Sequence, residues 1–139
     1  MGYEGYNINS FIEQVVNTGI DLVVDVREIP ISRKKGFSKT ALNNHLANND
    51  IKYIHFKKLG SPKELRHKVK EDKDFNSFSK EYKKVLKTRL NEITQLTELV
   101  LKYKSCLLCY EKDALYCHRS IISNELINRN ESNLQIKHI

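Results

Sequence analysis

The sequence lacks the features that would carry a chain into or across a membrane. No apolar run approaches the roughly 20 residues that span a bilayer. Met1 to Asn9 has no basic segment followed by an apolar one, so no secretory signal is expected. A cytoplasmic location and no membrane partner follow as the default expectation. Cysteine is scarce and odd in number, and three thiols in a reducing compartment do not make a disulfide framework. There is no internal repeat, low-complexity segment or linker, so residues 1–139 read as a single domain. No stretch specifies an oligomeric state. Helix-turn-helix, zinc-finger and RNA-binding signatures are missing. So is the zinc-deaminase pattern of a histidine two before a glutamate with a close cysteine pair. Few aromatics sit among the basic residues, which argues against stacking on single strands.

What is present indicates a globular protein. A chain of 139 residues can bury a real core, and 40% hydrophobic with 29% charged residues fits folded rather than disordered sequence. The formal charge of +7 favours a polyanionic partner, either an anionic small molecule or nucleic acid. The plainer reading is a lysine-rich solvated surface.

Helical and strand patterns alternate along the chain. Ser10 and Glu13 fit a capping box, ahead of a stripe of Phe11, Ile12, Val15 and Val16 that stops at Gly19. Ile20 to Val26 is short, β-branched and apolar on both faces, as a central parallel strand is. A polar loop from Arg27 to Phe37 leads to a helix capped by Ser38 and carrying Ala41, Leu42, His45 and Leu46. Ile51 to Phe56 reads as a strand. Ser61-Pro62-Lys63-Glu64 offers a cap, a first-turn proline and a closing glutamate. From Phe75 to Tyr103 apolar residues keep a 3.6 period, as one long helix or two joined near Asn91. Cys106 to Cys109 reads as a strand, Arg119 to about Asn130 as a helix, and Leu134, Ile136 and Ile139 as a closing strand. Strands separated by helices predict an α/β fold with three layers, a mostly parallel sheet flanked by helices.

Ligands of open parallel sheets bind beyond the carboxyl ends of the strands. Those ends here carry Asp25-Val26-Arg27, His55-Phe56-Lys57-Lys58 and Cys109-Tyr110-Glu111. Cys117-His118-Arg119 opens the next helix, and Gly2 to Gly5 lies where a first strand would end. The polar residues therefore collect on one edge. Cys117, at a helix N-terminus beside His118 and Arg119, should have a lowered pKa and is the candidate nucleophile. Glu111, His118 and Asp25 are candidates for moving protons. Arg27, Arg33, Lys34 and Arg119 would hold negative charge, with Tyr3 and Ser32 beside them as substrate contacts.

Each assignment has a structural counterpart. Asp25 and Arg27 can be an ion pair tying two loops, His55 a half-buried strand residue, and Arg33 to Lys35 an exposed loop. His118 and Arg119 can bind an anion at the helix start without covalent chemistry. Cys109 can simply pack. Cys106 lies three residues from Cys109 on a strand, faces the other side and reads as core. Cys109, Cys117 and His118 are three soft ligands, but adjacent ligands are awkward to aim at one ion and the paired-cysteine spacing of zinc sites is absent. No metal and no cofactor is assigned.

With these motifs in place, the chain resembles the domain-of-unknown-function 488 family over almost its whole length. The resemblance rests on Gly2-Tyr3-Glu4-Gly5, Asp25-Val26-Arg27, Pro30 with Ser32-Arg33, Gly36-Phe37-Ser38, and Tyr53 with His55. Leu59-Gly60, Leu108-Cys109 with Glu111-Lys112, and Cys117-His118-Arg119 complete it. It implies a compact α/β domain with these motifs as its site, and no established reaction. Similar members usually begin with a full strand before the Gly-Tyr motif, so a first strand that is missing or reduced to a stub is expected here. A weaker likeness is to rhodanese domains, through Val24-Asp25-Val26-Arg27-Glu28. Cys109 and Arg119 lie too far apart for the loop of that family, so Cys117 is the better sulfur-transfer candidate.

The reading is an enzyme acting on an anionic, nucleotide or nucleic-acid related substrate in a Cys/Glu/His/Arg-lined crevice. The alternatives are a non-catalytic nucleic-acid-binding module and rhodanese-like thiol or sulfur-transfer chemistry.

Overall fold

A sheet of three short parallel strands divides the molecule in the computed structural model, which describes residues 1–129 and 134–139. The strands are β1 (Leu22–Asp25), β2 (Lys52–His55) and β3 (Ser105–Leu108), in the order β2-β1-β3. Six helices surround them: α1 (Ile8–Asn17), α2 (Lys39–Ala47), α3 (Lys63–Asp72), α4 (Phe75–Lys87), α5 (Leu90–Lys102) and α6 (His118–Arg129). This is the expected α/β fold with a parallel sheet between helices. Among the described residues no helix is long and apolar enough to cross a membrane.

The central strand explains the layering. Residues of β1 are fully buried on both faces. Leu22 and Val24, with Val26 just beyond, pack with Tyr82, Leu86, Ile93, Leu96 and Ile122 from α4, α5 and α6. Val23 points the other way, among Phe11, Val15, Leu42 and Leu46 from α1 and α2. Full burial of such aliphatic side chains contributes about 1.5–3 kcal/mol each. Cys106 and Leu108 join the α1/α2 side and Leu107 the α4–α6 side. Cys106 is therefore core, on the face opposite Cys109, as the strand period requires. Asp25 stands opposite both His55 and Leu108 in register, so the three strands end level. That brings the polar strand ends to one edge.

The first strand is a stub. Gly2 forms a single parallel bridge with Cys109, and the Met1 amino group donates to the Leu107 carbonyl at 2.9 Å. Tyr3 N–H and Glu4 N–H donate to the carbonyls of Cys109 and Tyr110. Gly2 is required by closeness rather than by its torsion angles, because a Cβ there would collide with the Glu111 backbone.

Several local expectations shift. The cap of α1 is Asn7, whose side chain accepts from Ser10 N–H at 2.9 Å, so the helix begins before the Ser10–Glu13 box. Asn is as good a cap as Ser, and it comes first. Ser38 precedes α2 but makes no side-chain cap; its hydroxyl donates to Ser32 O and accepts from Ser32 N–H, closing the polar loop instead. Pro62, not Ser61, holds the cap position of α3, leaving the buried Ser61 hydroxyl without a partner among the described residues. The long periodic segment breaks into α4 and α5 at Thr88-Arg89, just before Asn91. The closing strand is not formed: residues 134–139 have no regular structure, and Leu134 and Ile139 pack as isolated apolar contacts on the two cores. The expected end of α6 at Asn130 lies outside the described residues.

Candidate active site

Two clusters meet at the carboxyl edge of the sheet. On the α1/α2 face, Asp25 is wholly buried and both its oxygens are taken. Oδ1 accepts from Arg27 Nε at 2.8 Å, and Oδ2 from Arg27 NH2 at 2.5 Å and Tyr53 OH at 2.6 Å. Arg27 NH1 donates onward to Phe37 O at 2.8 Å and Tyr3 OH at 3.1 Å. Tyr3 stacks on Phe37 with ring centroids 4.4 Å apart. Burial works against the Arg27 charge, but the Asp25 carboxylate outweighs it and keeps the guanidinium firmly protonated. Burial and the same carboxylate push the Tyr53 hydroxyl up, since ionising it would set two negative charges side by side. Lys34 Nζ donates to Tyr3 O at 3.2 Å, and the Ser32 hydroxyl accepts from Lys34 N–H. This network braces the loop from Arg27 to Phe37. His55 belongs to it: its Nε2–H donates to Arg27 O at 2.8 Å.

On the other face, Cys109, Glu111, Cys117 and His118 converge. Cys109 ends the run of β3, so its position follows from the strand. Cys117 immediately precedes α6, and His118 is that helix's first residue. His118 Nε2–H donates to Val26 O at 2.8 Å, which turns Nδ1 toward the sulfurs. Nδ1 lies 3.6 Å from Cys117 Sγ and 3.9 Å from Cys109 Sγ. The Cys109 thiol donates to Glu111 Oε2 at 2.9 Å, and Cys117 Sγ stands 3.4 Å from the same oxygen. Arg119 Nε donates to Cys117 Sγ at 3.2 Å, and its NH2 donates to the Glu111 carbonyl.

The two thiols are driven apart electrostatically. Burial would raise the Cys117 pKa. The Cys109 thiol as a donor, the His118 charge and the Arg119 charge overcome burial and hold it well below the ordinary thiol value. Cys109, hydrogen-bonded to Cys117, buried, and facing the negative charge of Cys117 and Glu111, is held well above it. Burial would lower the His118 pKa, but the Cys117 thiolate more than offsets that, so His118 is raised. Cys117 therefore favours its anionic form, and His118 its cationic form, more than the free groups do.

The space around this cluster is a crevice of two joined cavities, about 400 and 740 Å³. Ser61, Arg66, Lys70, Cys109, Glu111 and His118 line both. Cys117 and Lys73 border the smaller part; Tyr3, Arg27, Ser32, Arg33 and Lys34 border the larger.

Residues 7–126 of the 139 match the family model described as Domain of unknown function DUF488. The chain belongs to the DUF488 family. No curated protein and no solved structure matches it alongside that family. Within this DUF488 chain the sequence-predicted residues divide by position. Cys117, His118 and Glu111 come together, and Arg119 lies against them from behind, buried, with donors on Cys117 and Glu111 rather than on the open crevice. Asp25, Arg27, Tyr3 and Ser32 form the brace, and Arg33 and Lys34 border the crevice. The difficulty of aiming adjacent ligands at one point is not met: the ligand atoms of Cys109, Cys117 and His118 lie within 4.8 Å of one another. Arg66, Lys70 and Lys73 went unnoticed in the sequence. Their signal is Arg66 and Lys70 at i and i+4 of the helix that follows the Leu59-Gly60 turn, with Lys73 at its C-cap.

Proposed function

We propose that this DUF488 protein is an enzyme that uses the Cys117 thiolate on an anionic substrate, a nucleotide or nucleic-acid component, bound in the crevice. The observation that carries the reading is the environment of one sulfur. Cys117 Sγ sits at the start of α6, with Arg119 Nε at 3.2 Å and His118 Nδ1 at 3.6 Å, beside a cavity bordered by Arg66, Lys70 and Lys73. A helix N-terminus and two cations favour the anionic sulfur, and a thiolate is the nucleophilic form. His118 carries the proton that a leaving group would take, and Glu111 is placed to accept or return one. Arg33, Lys34 and Lys70 supply the charge that attracts the substrate. In this reading Arg27 and Asp25 position the loop, and Arg119 holds the sulfur.

The test is alkylation by iodoacetamide at pH 6, followed by peptide mapping. Cys117 should react well ahead of Cys106, and nucleotides should protect it, less so as salt is raised. Equal rates at the two cysteines would sink the activated thiol. Protection by neither nucleotide nor inorganic phosphate would sink the substrate class.

The exposed cations of the rim also favour a second reading, nucleic-acid binding without chemistry. It requires a gel shift with DNA or RNA that weakens steeply with salt and survives Cys117→Ser.

A further inference from the structure

The same cluster supports something beyond thiol attack. Cys109 Sγ, Cys117 Sγ and His118 Nδ1 are mutually close and all buried at the foot of the crevice. In a tetrahedral zinc site with metal–sulfur bonds of about 2.3 Å and metal–nitrogen bonds of about 2.1 Å, neighbouring ligand atoms lie roughly 3.4–3.8 Å apart. The sulfur–nitrogen separations here are 3.6 and 3.9 Å. Glu111 Oε2 lies beside this trio, at 2.9 and 3.4 Å from the two sulfurs, as a hydrogen-bond acceptor rather than a member of it. These three ligand atoms come with an outer shell already in place. Metal-bound histidines regularly donate their other ring N–H to a carbonyl or carboxylate, which fixes the tautomer. His118 does this to Val26 O at 2.8 Å. Arg119 Nε donates to Cys117 Sγ, a bond that remains available when the sulfur is metal-bound.

We infer that Cys109, Cys117 and His118 form a three-ligand binding site for a zinc-class divalent ion, with Glu111 beside it. Metal ligation requires deprotonated sulfur and a free ring nitrogen and occupies lone pairs of Cys117. A bound ion therefore shields the Cys117 sulfur from reagents in the crevice. The site stands on ligand positions and outer-shell bonds, independently of whether Cys117 attacks any substrate.

The experiment is titration of the reduced full chain with Co²⁺ alone, followed by displacement with Zn²⁺. One ion per chain should bind, with sulfur-to-cobalt charge-transfer absorption and the intense visible bands of four-coordinate cobalt. Cys109→Ser should weaken binding by about tenfold or more, since even an outer-shell partner is worth that much. Cys106→Ser should bind as wild type, and melting curves of each variant establish that it is folded. Bound Zn²⁺ should also stop alkylation of Cys117. Weak six-coordinate bands without charge transfer, or equal loss of binding in Cys106→Ser and Cys109→Ser, would overturn the site. If cobalt fails to bind while Cys117 of the same sample alkylates fast, the metal site falls and the thiol reading stands. If cobalt binds and metal-free Cys117 is slow, the thiol reading falls and the metal site stands.

Discussion

His118 Nε2 donates to the carbonyl oxygen of Val26 at 2.8 Å, joining the first residue of α6 to the end of the central strand. That bond fixes the imidazole. With Nε2 committed to a carbonyl that can only accept, Nδ1 must face Cys117 and Cys109. That orientation sets Nδ1 3.6 Å from Cys117 Sγ, close enough to share a proton with it.

The pair has a pH signature in metal-free protein. Both shifts run against burial: Cys117 is lowered by its hydrogen bond with Cys109 and then by the charges of His118 and Arg119, and His118 is raised by Cys117, its bond to Val26 O and Glu111. Alkylation of Cys117 should persist as pH falls well below the ordinary thiol value. His118→Asn should slow it at pH 6, because the sulfur loses one of the charges that favour its anionic form. A His118→Asn protein that alkylates at the wild-type rate contradicts the pairing. The linkage signs are opposite for the two groups. The Cys117 contribution to stability is present above the unfolded thiol value and lost as pH falls through its folded value. The His118 contribution is present below the unfolded imidazole value and lost as pH rises through its folded one.

Asp25 should matter for stability first. Removing its carboxylate leaves Arg27 buried without a counter-charge and Tyr53 without its acceptor. Asp25→Ala is expected to cost about 3–5 kcal/mol, read as a lowered denaturation midpoint. Tyr53→Phe removes only one charge-assisted bond and should cost about 1.5–3 kcal/mol. A near-neutral Asp25→Ala would mean the network is not the brace described.

Gly60 tests the frame of the crevice. Its backbone is extended at φ −68°, so any residue could adopt its torsion angles. The constraint is contact: a Cβ would run into the backbone and Cβ of Glu28. Glu28 in turn holds Arg66 at 2.6 Å. Gly60→Ala should destabilise by about 1–3 kcal/mol through overpacking and should displace Arg66 from the crevice. Equal melting temperatures of the two proteins would refute it.

Lys70 is exposed, lines both cavities and shares no described bond with the fold. Lys70→Ala should leave stability within about 0.5 kcal/mol of wild type. It should weaken nucleotide protection of Cys117 and flatten its salt dependence, as loss of a phosphate contact does. Unchanged protection would remove Lys70 from the anion site.

Sequence alone determined the architecture. The doubly apolar run at Leu22 to Val26 could only be a central strand, and alternation with amphipathic helices required a parallel sheet with polar ends on one edge. Cys117-His118-Arg119 and Glu111 were legible because a thiol, an imidazole and a guanidinium at a helix start have few bland uses. Local rivalry blurred the helix starts: Asn7 competes with Ser10, and Pro62 with Ser61, for a single cap position. The fold decided what no local pattern encodes. Asp25 and Arg27 satisfy each other because Tyr3, Phe37 and Tyr53 arrive from three distant segments to enclose them. Arg119 faces inward because the Glu111 carbonyl, held close by Gly2, lies within its reach. Cys109 joins Cys117 because β3 and the start of α6 end at the same place, and a separation of eight positions in sequence carries no information about that. Burial and donor geometry, which divide the roles of those two sulfurs, exist only once the chain is packed.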